Sequence, residues 1–348
     1  MAQPQGQETA EPHDAAPGPV DPQMLTADIN DDDSAIGDEP DLESTASIGS
    51  SIYKFRIENG RTYNAYGDRT YMMPNDEIEK DRLDLQHHLF QLTLGGKLFL
   101  SDIDKSKVNR VLDIGTGTGI WAMDYATDHP EAEVIGVDVS PIQPNFVPPN
   151  VQFEIDDMEK EWTFTKKFDF IFSRMMTGAI SNWVAYIEKC FANTNPGGYL
   201  EIDDICTPPE YIDDSGKGTV LEQWGNLMLD ASIKLSIPLN SVKGVKKIME
   251  DAGYVDIAEK EYKWPLNKWP AEKKMKEIGM WAHEATVSNL GGLTTALFTR
   301  GLAWSAEEVE VYLAGVRNDM KNLKIHSYWP IYVITGRKPE APAAKSEE

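Results

Sequence analysis

The residues with the clearest chemical content are one acid and three glycines at alternating positions, Asp113-Ile-Gly115-Thr-Gly117-Thr-Gly119. Val111, Leu112 and Ile114 make the preceding run apolar and β-branched, as in a short buried strand of a parallel sheet. Beyond Gly119 the pattern turns helical, with Ile120, Met123 and Ala126 on one face and Trp121 and Tyr125 beside them. Glycines let the chain take positive φ and let a ligand approach the backbone, and a helix start offers free N–H groups. Strand, turn and helix start therefore predict a cradle for a nucleotide. The spacing excludes two kinds. A dinucleotide fingerprint, G-x-G-x-x-G or A, needs a small residue where Ile120 stands, and no Lys-Ser/Thr follows as a triphosphate loop requires.

A second acid, Asp138, closes the apolar run AEVIGV nineteen positions after Gly119. At that distance in a βαβ unit a carboxylate holds a ribose diol, since its two oxygens accept two hydrogen bonds. Ser140-Pro141 follows, so the other reading of Asp138 is a cap on the next helix. His87-His88 is the one histidine pair, with Asp84 four residues before His88 on a helical face. His88 is thus the candidate general base, its tautomer fixed by Asp84; the alternatives are a surface His–carboxylate pair or a packed ring. No His, Cys and Asp set has zinc spacing, and no metal is expected.

These groups need elements to hold them. Helix 76–94, capped by Asn75 and stopped by Gly95-Gly96, would bury Ile78, Leu85, Leu89 and Leu92, widened by Leu83 and Phe90. Strands follow at AEVIGVDV, VQFEI (running into Asp156-Asp157-Met158), FDFIF (ending at Ser173-Arg174) and Gly198–Ile202, with a helix over 180–195 before the last. Strands alternating with helices predict a doubly wound parallel sheet. Helices are expected over 217–235 and 241–252, after Pro270, and from a Ser305/Glu308 capping box. Strands over 254–264 and 326–336 would pair as an antiparallel edge. Residues 53–75 carry Tyr53, Tyr63, Tyr66 and Tyr71 in a loop-like stretch suited to covering a pocket.

Half of the formal net charge of −24 sits in residues 1–50, which hold twelve Asp or Glu and no Lys or Arg. That composition predicts a disordered acidic tail, and residues 339–348 a second short one. A strongly acidic chain is a poor binder of nucleic-acid phosphates. No basic n-region with an apolar run and no stretch of about twenty apolar residues is visible, so neither secretion nor a membrane span is expected. Two cysteines suit a reducing compartment. A cytoplasmic location is the expectation.

Asp113 to Gly119 resembles motif I of the class I methyltransferases that use S-adenosylmethionine, E/D-x-G-x-G-x-G. More specific blocks lie outside it: GRTYNAYGDRTYMMPNDEIEKDRLDLQHHLF, VIGVDVSPIQPNFVPPNVQFEIDDMEKEWTF, FDFIFSRMM and GLAWSAEEVEVYLAGVRNDMKN. Together they resemble the fungal LaeA-like (TAM-domain) methyltransferases over about residues 53–338. The resemblance implies a Rossmann-like, mostly parallel seven-stranded sheet with an antiparallel edge. Its parts would be a cap segment (53–95), a cofactor-binding core (106–264), a helical insert (265–323) and a final strand (326–336) within one domain, 51–338.

It also implies that S-adenosylmethionine is the cofactor. Asp113 would orient its amino group, with Gly115, Gly117 and Gly119 forming the turn beneath. Asp138 and Val139 would take the ribose, and Asp157 and Met158 the adenine, with Asp156 the rival carboxylate. Ser173 and Arg174 would lie beside the methionine moiety, Arg174 either holding its carboxylate or bridging surface acids. The expected acceptor is a small hydrophobic molecule of secondary-metabolism type, methylated at oxygen or nitrogen. Aromatic residues such as Trp224, Trp264, Trp269, Trp281 and Trp304 would supply core and some of the pocket. The competing reading is a regulator acting through protein partners, with a nuclear location implied by the same resemblance. A nicotinamide-dependent oxidoreductase conflicts with Ile120.

Overall fold

The structure is a computed structural model and describes residues 55–66 and 71–340. Tyr53, the acidic tail over 1–50 and residues 341–348 lie outside the described residues. The chain begins with a hairpin, β1 (Phe55–Glu58) and β2 (Arg61–Asn64), turned at Asn59-Gly60, both with positive φ. The hairpin was not legible as such, because neither strand exceeds four residues or alternates cleanly.

Helix α1 (Glu77–Thr93) follows, and its cap is Asp76, not Asn75: the Asp76 carboxylate accepts from the Glu79 N–H. Its buried face is also not the one expected. Glu79, Arg82, Gln86, His87, Leu89, Phe90 and Thr93 face inward, while Ile78 is exposed. The inward residues are polar because they border a cavity and an ion-pair network rather than oily core.

The doubly wound part runs β3 (Arg110–Ile114), α2 (Ile120–Asp128), β4 (Glu133–Asp138), β5 (Val151–Ile155), β6 (Phe168–Arg174), α3 (Trp183–Asn193), β7 (Thr194–Ile205). The short β8 (Glu210–Tyr211), α4 (Val220–Lys234), α5 (Val245–Ala252) and β9 (Val255–Pro265) come next. The insert is three helices, α6 (Lys273–Val287), α7 (Leu290–Gly301) and α8 (Ala306–Lys321), the last starting at the Ser305/Glu308 capping box; β10 (Ser327–Arg337) ends the fold. Strand order is β5-β4-β3-β6-β7-β10, with β9 on the outer side of β10. The first five are parallel, and β10 is antiparallel to both neighbours. Tiny β8 extends β10 beyond the end of β7, making eight strands rather than seven.

Both sheet faces are covered, as a parallel sheet requires. On one, Ile187 and Cys190 of α3 and Val245 and Met249 of α5 pack on Leu112, Ile135, Ile171 and Ile202. On the other, Trp121 and Tyr125 of α2 pack on Val111, Val134, Phe170 and Phe172. The Trp121 and Phe172 rings stack 3.9 Å apart at 4°. A third cluster joins α4 and the insert to α1 and to Trp264 and Trp329 of the antiparallel edge. No described helix is long and apolar enough to cross a membrane.

Candidate functional site

In an open α/β sheet ligands bind beyond the carboxyl ends of the parallel strands. There the structure has a cavity of about 530 Å³. Its floor is made by the ends of β3 to β6: Gly115, Gly117, Asp138, Asp156 and Arg174 all line it. Gly115, Gly117 and Gly119 have φ of 71°, 57° and 81°, so the turn needs glycine at each.

Hydrogen bonds set the turn's shape. The Gly115 and Thr116 N–H groups donate to the Val137 carbonyl at 2.9 and 3.0 Å. Gly117 N–H donates to Asp138 Oδ2 at 2.8 Å, and Ser140 N–H to Asp138 Oδ1 at 2.9 Å. Asp138 thus ties the two loops together, and burial raises its pKa against these bonds. Gln143 locks the same corner by donating to the carbonyls of Gly117 and Ser140. Thr118 donates to Asp84 at 2.6 Å, fastening the turn to α1.

The predicted site residues divide. Gly115, Gly117, Asp138, Val139, Asp157, Met158 and Arg174 line the cavity, and so does Asp156. Asp113, Gly119 and Ser173 do not: Gly119 was expected as part of the turn beneath the cofactor, but for Asp113 and Ser173 the expectation is corrected, since both were expected nearer the ligand than the lining puts them. Asp113 is buried beneath the turn and accepts from Thr116 at 2.6 Å, its carboxyl pushed up to about 6 by burial. At Gly119 a Cβ would come within 2.2 Å of the Phe153 ring, so that glycine serves close packing of turn on sheet. Ser173 is fully buried and accepts from the Tyr186 hydroxyl of α3 at 2.8 Å; adjacent strand residues face opposite ways, so it points from the face that Arg174 does not. Asp156 and Asp157 each cap the local turn, accepting from the Asp157 and Glu159 N–H groups respectively.

His88 is also corrected. It lies on the exposed side of α1, edge-on to Trp281 at 5.2 Å, and does not line the cavity. Asp84, its expected partner, is engaged by Thr118. Its neighbour His87 is the buried one, 3 % exposed, with Nε2 2.9 Å from Asp124 and Nδ1 3.1 Å from Arg174 Nη2. Among the described residues no carboxylate lies within ion-pair distance of Arg174, which stands over the rings of Phe90 and Phe172; Asp113, Asp203 and Asp124 act on it from farther off. A half-buried guanidinium in a cavity wall with no carboxylate bonded to it is a ready anion site.

Apart from the polar residues of α1 and its neighbours (Glu79, Arg82, Gln86, Arg300), the rest of the cavity is mainly apolar and comes from elements the sequence left loosely assigned. Trp224 and Met228 of α4, Trp264, Trp329, and Ala285 and Leu297 of the insert wall it. All three indole N–H groups turn away to threonine hydroxyls: Trp224 to Thr294 at 3.0 Å, Trp264 to Thr93 at 2.7 Å, Trp329 to Thr286 at 3.4 Å. Of the tryptophans singled out beforehand, Trp269, Trp281 and Trp304 lie outside the lining, and Trp329 was missed. Tyr66, Tyr71 and Met72 line the cavity from the N-terminal side. Asn289 binds this side to the insert, accepting from Arg61 at 2.6 Å and donating to Glu79 at 2.5 Å; Glu79 pairs with Arg82, Arg61 with Asp76, and Arg300 with Glu58.

The residues present suit a nucleoside bearing an amino acid. The glycine turn has room for it, Asp138 offers carboxylate oxygens at the ribose position, and Arg174 presents a guanidinium bonded only to His87 among the described residues. Among the described residues no lysine lines the cavity to meet a phosphate chain. Strand order with the antiparallel penultimate insertion, a glycine turn after β3 and an acid ending β4 define the class I methyltransferase. A methyltransferase-domain family model matches residues 85–259. Over 315 residues the chain is 35% identical to the methyltransferase pytC of Aspergillus terreus, covering 87% of this chain and 94% of that one. It is 32% identical to the probable methyltransferase tdiE of Emericella nidulans (86% and 93% covered) and 32% identical to the protein-methionine methyltransferase laeA of Emericella nidulans (86% and 81%). The chain belongs to the LaeA-like family of methyltransferases, and its cofactor is S-adenosylmethionine.

Proposed function

We propose that the chain transfers a methyl group to a small, apolar acceptor enclosed by the tryptophan-walled half of the cavity. The observation that carries this reading is that every indole donor there is already spent on a threonine. That half offers mainly rings and hydrocarbon, with few hydroxyls such as Thr207 and Thr286 among them, and suits an aromatic or aliphatic metabolite better than a solvated peptide. Bound S-adenosylmethionine supplies an electrophilic sulfonium methyl group.

The residues named above do the rest. Asp138 takes the ribose hydroxyls, Gly115 and Gly117 give the amino-acid arm room, and Val139, Asp157 and Met158 border the adenine. Arg174 holds the carboxylate, which leaves the sulfonium facing the apolar half. Asp113 and Gly119 support the turn from beneath. Alignment is the chief task in a direct displacement, and the described parts of the enclosing elements, 55–66, 71–95 and 265–323, exclude water while the acceptor is held. Among the described residues no histidine lines the cavity, so an acceptor that must lose a proton loses it to water or to a carboxylate near the cofactor.

A single labelling experiment tests the acceptor class. Methyl-tritiated cofactor and the purified protein are incubated with extract from the cells that make it, and organic-soluble and protein-precipitable label are counted. Label in the organic fraction supports the proposal; label confined to protein favours the regulator reading, in which the nucleus rather than the cytoplasm is the place of action.

A further inference from the structure

Arg174 does not hold itself. Its side chain leaves β6 on the face toward α1, among the rings of Phe90 and Phe172, and among the described residues its one side-chain hydrogen bond is the 3.1 Å contact from Nη2 to His87 Nδ1. A guanidinium can only donate, so Nδ1 must be the acceptor; a carboxylate can only accept, so Nε2 must carry the proton toward Asp124. These two partners fix one neutral tautomer. The Gln91 amide nitrogen, one turn along α1, donates to the same Asp124 oxygen at 3.3 Å; it lies 3.0 Å from Nε2 but, as a donor beside the Nε2–H, makes no hydrogen bond to the ring in this tautomer.

We propose that His87 is a positioning residue for cofactor binding: as the neutral Nε2–H tautomer set by Asp124, it aims Arg174 at the carboxylate of S-adenosylmethionine. This rests on the proposed role of Arg174. The charged groups around the ring are Asp124 from α2, Arg174 from β6 and Asp84 on α1 itself. Burial and Arg174 hold its pKa below the ordinary imidazole value, against the pull of the two acids, so the ring is neutral at neutral pH. Protonation puts an N–H on Nδ1, where it faces the guanidinium donor. The guanidinium must then swing away, and the carboxylate loses its partner. Cofactor affinity therefore falls as pH drops below the ordinary imidazole range.

The test is calorimetric titration of the full chain with two ligands, S-adenosylhomocysteine, which has the carboxylate, and 5′-methylthioadenosine, which lacks the amino-acid arm. His87→Phe keeps the ring volume without an acceptor, and His87→Gln keeps an acceptor that does not titrate. His87→Phe is expected to weaken S-adenosylhomocysteine about tenfold, the scale of one misplaced charge-assisted hydrogen bond, and to leave 5′-methylthioadenosine unchanged. His87→Gln is expected to recover most of the loss. Between pH 8 and pH 5 the wild type should lose S-adenosylhomocysteine affinity while His87→Gln stays flat.

Equal losses of both ligands in His87→Phe would mean a structural role only and overturn the proposal. So would wild-type affinity in His87→Phe, or the same pH profile in wild type and His87→Gln. Arg174→Gln separates this failure from failure of the underlying reading: it should lose S-adenosylhomocysteine selectively. If it does and His87→Phe does not, the positioning role alone is wrong. If Arg174→Gln discriminates neither ligand, the carboxylate assignment falls with it.

Discussion

Replacing Asp138 with alanine perturbs two things that can be measured apart. The first is the corner that Asp138 ties, where Gly117 and Ser140 donate to it at 2.8 and 2.9 Å. Both donors border the cavity, so water replaces the lost oxygens, and the cost is about 1 kcal/mol per bond at most. Some of that is returned, because the buried carboxylate no longer has to be kept charged, as its raised pKa indicates. The net folding loss is about 1–2 kcal/mol, or a melting shift of a few degrees for a domain of this size.

The second loss is the pair of acceptors for the ribose diol, about 1.5–3 kcal/mol, or roughly 10- to 150-fold in affinity. Calorimetry with S-adenosylhomocysteine alongside thermal melts separates the two, and Asp138→Asn, which keeps one acceptor, should fall between. A cycle with adenosine and 2′,3′-dideoxyadenosine sharpens the assignment: the wild type should discriminate between them and Asp138→Ala should not. If the variant shows the melting shift but binds the cofactor product as tightly as wild type, Asp138 serves the loops only and the ribose assignment is refuted.

The remaining expectations are briefer. Gly117→Val places a β-branched residue at φ 57° in the cavity floor, with Leu83 3.3 Å from the new Cβ, and should abolish cofactor binding with folding retained by circular dichroism. Ala285→Phe fills the apolar half and should stop methyl transfer to a small acceptor while leaving S-adenosylhomocysteine affinity within about twofold, since the two ends of the cavity share no partner. Deleting residues 1–50 should leave melting temperature and cofactor affinity nearly unchanged, because so acidic a segment buries too little apolar surface to offset its ordering. Stability should rise as pH falls from about 8 toward about 5, read from denaturant midpoints. Asp113 (about 6), Glu201 and Asp204 (each about 7) have raised pKa values, so the native state binds protons that the unfolded state does not; each contributes up to about 1.4 kcal/mol per pH unit. His87, lowered, opposes them.

The core of the fold was legible because its signals are local. β3, β4, β5 and β6 are apolar runs that end at turn residues, and their observed bounds match the expected ones to within a residue or two. The 326–336 strand and its partner over 254–264 read equally well, as did the Ser305 cap. What failed was decided by tertiary context. β7 begins at Thr194, through Asn195-Pro196-Gly197-Gly198, where turn chemistry argued for a break; the break is present as an irregularity, with Gly197 at φ 79° and a register shift against β6, and the backbone of Lys338 bonds to Gly197 and Gly198 across it. The β1–β2 hairpin draws its stability from Arg300–Glu58 and Arg61–Asp76, contacts up to 242 residues apart in sequence that no window can show. Of the three insert helices, the one after Pro270 and the one from Ser305 were expected and α7 was missed, since Gly291, Gly292 and Gly301 blur its start and end.

The site was half legible, and the division has one cause. Residues at the ends of parallel strands are placed by the backbone, so Asp138, Asp157, Met158 and Arg174 could be located by counting. A helical residue is placed by the helix's rotation, and α1 is set by its contacts with cavity and insert rather than by an oily stripe. The apolar pattern put Ile78 inside; the structure puts Glu79, Arg82 and Gln86 there. Turning the helix by that amount exchanges the members of the histidine pair, taking His88 outward to Trp281 and His87 inward to Asp124 and Arg174. The same logic explains the serine: Ser173 and Arg174 are neighbours in sequence, yet strand alternation sends one to Tyr186 and the other to the cavity. A signal for His87 was present all the same. Gln86, His87 and Gln91 form a polar cluster between Leu85, Leu89 and Phe90, and polar residues set among core positions belong either to an error of phase or to a hydrogen-bonded group with a function. Here they mark both, because the phase of α1 is set in part by the group they form with Asp124 and Arg174.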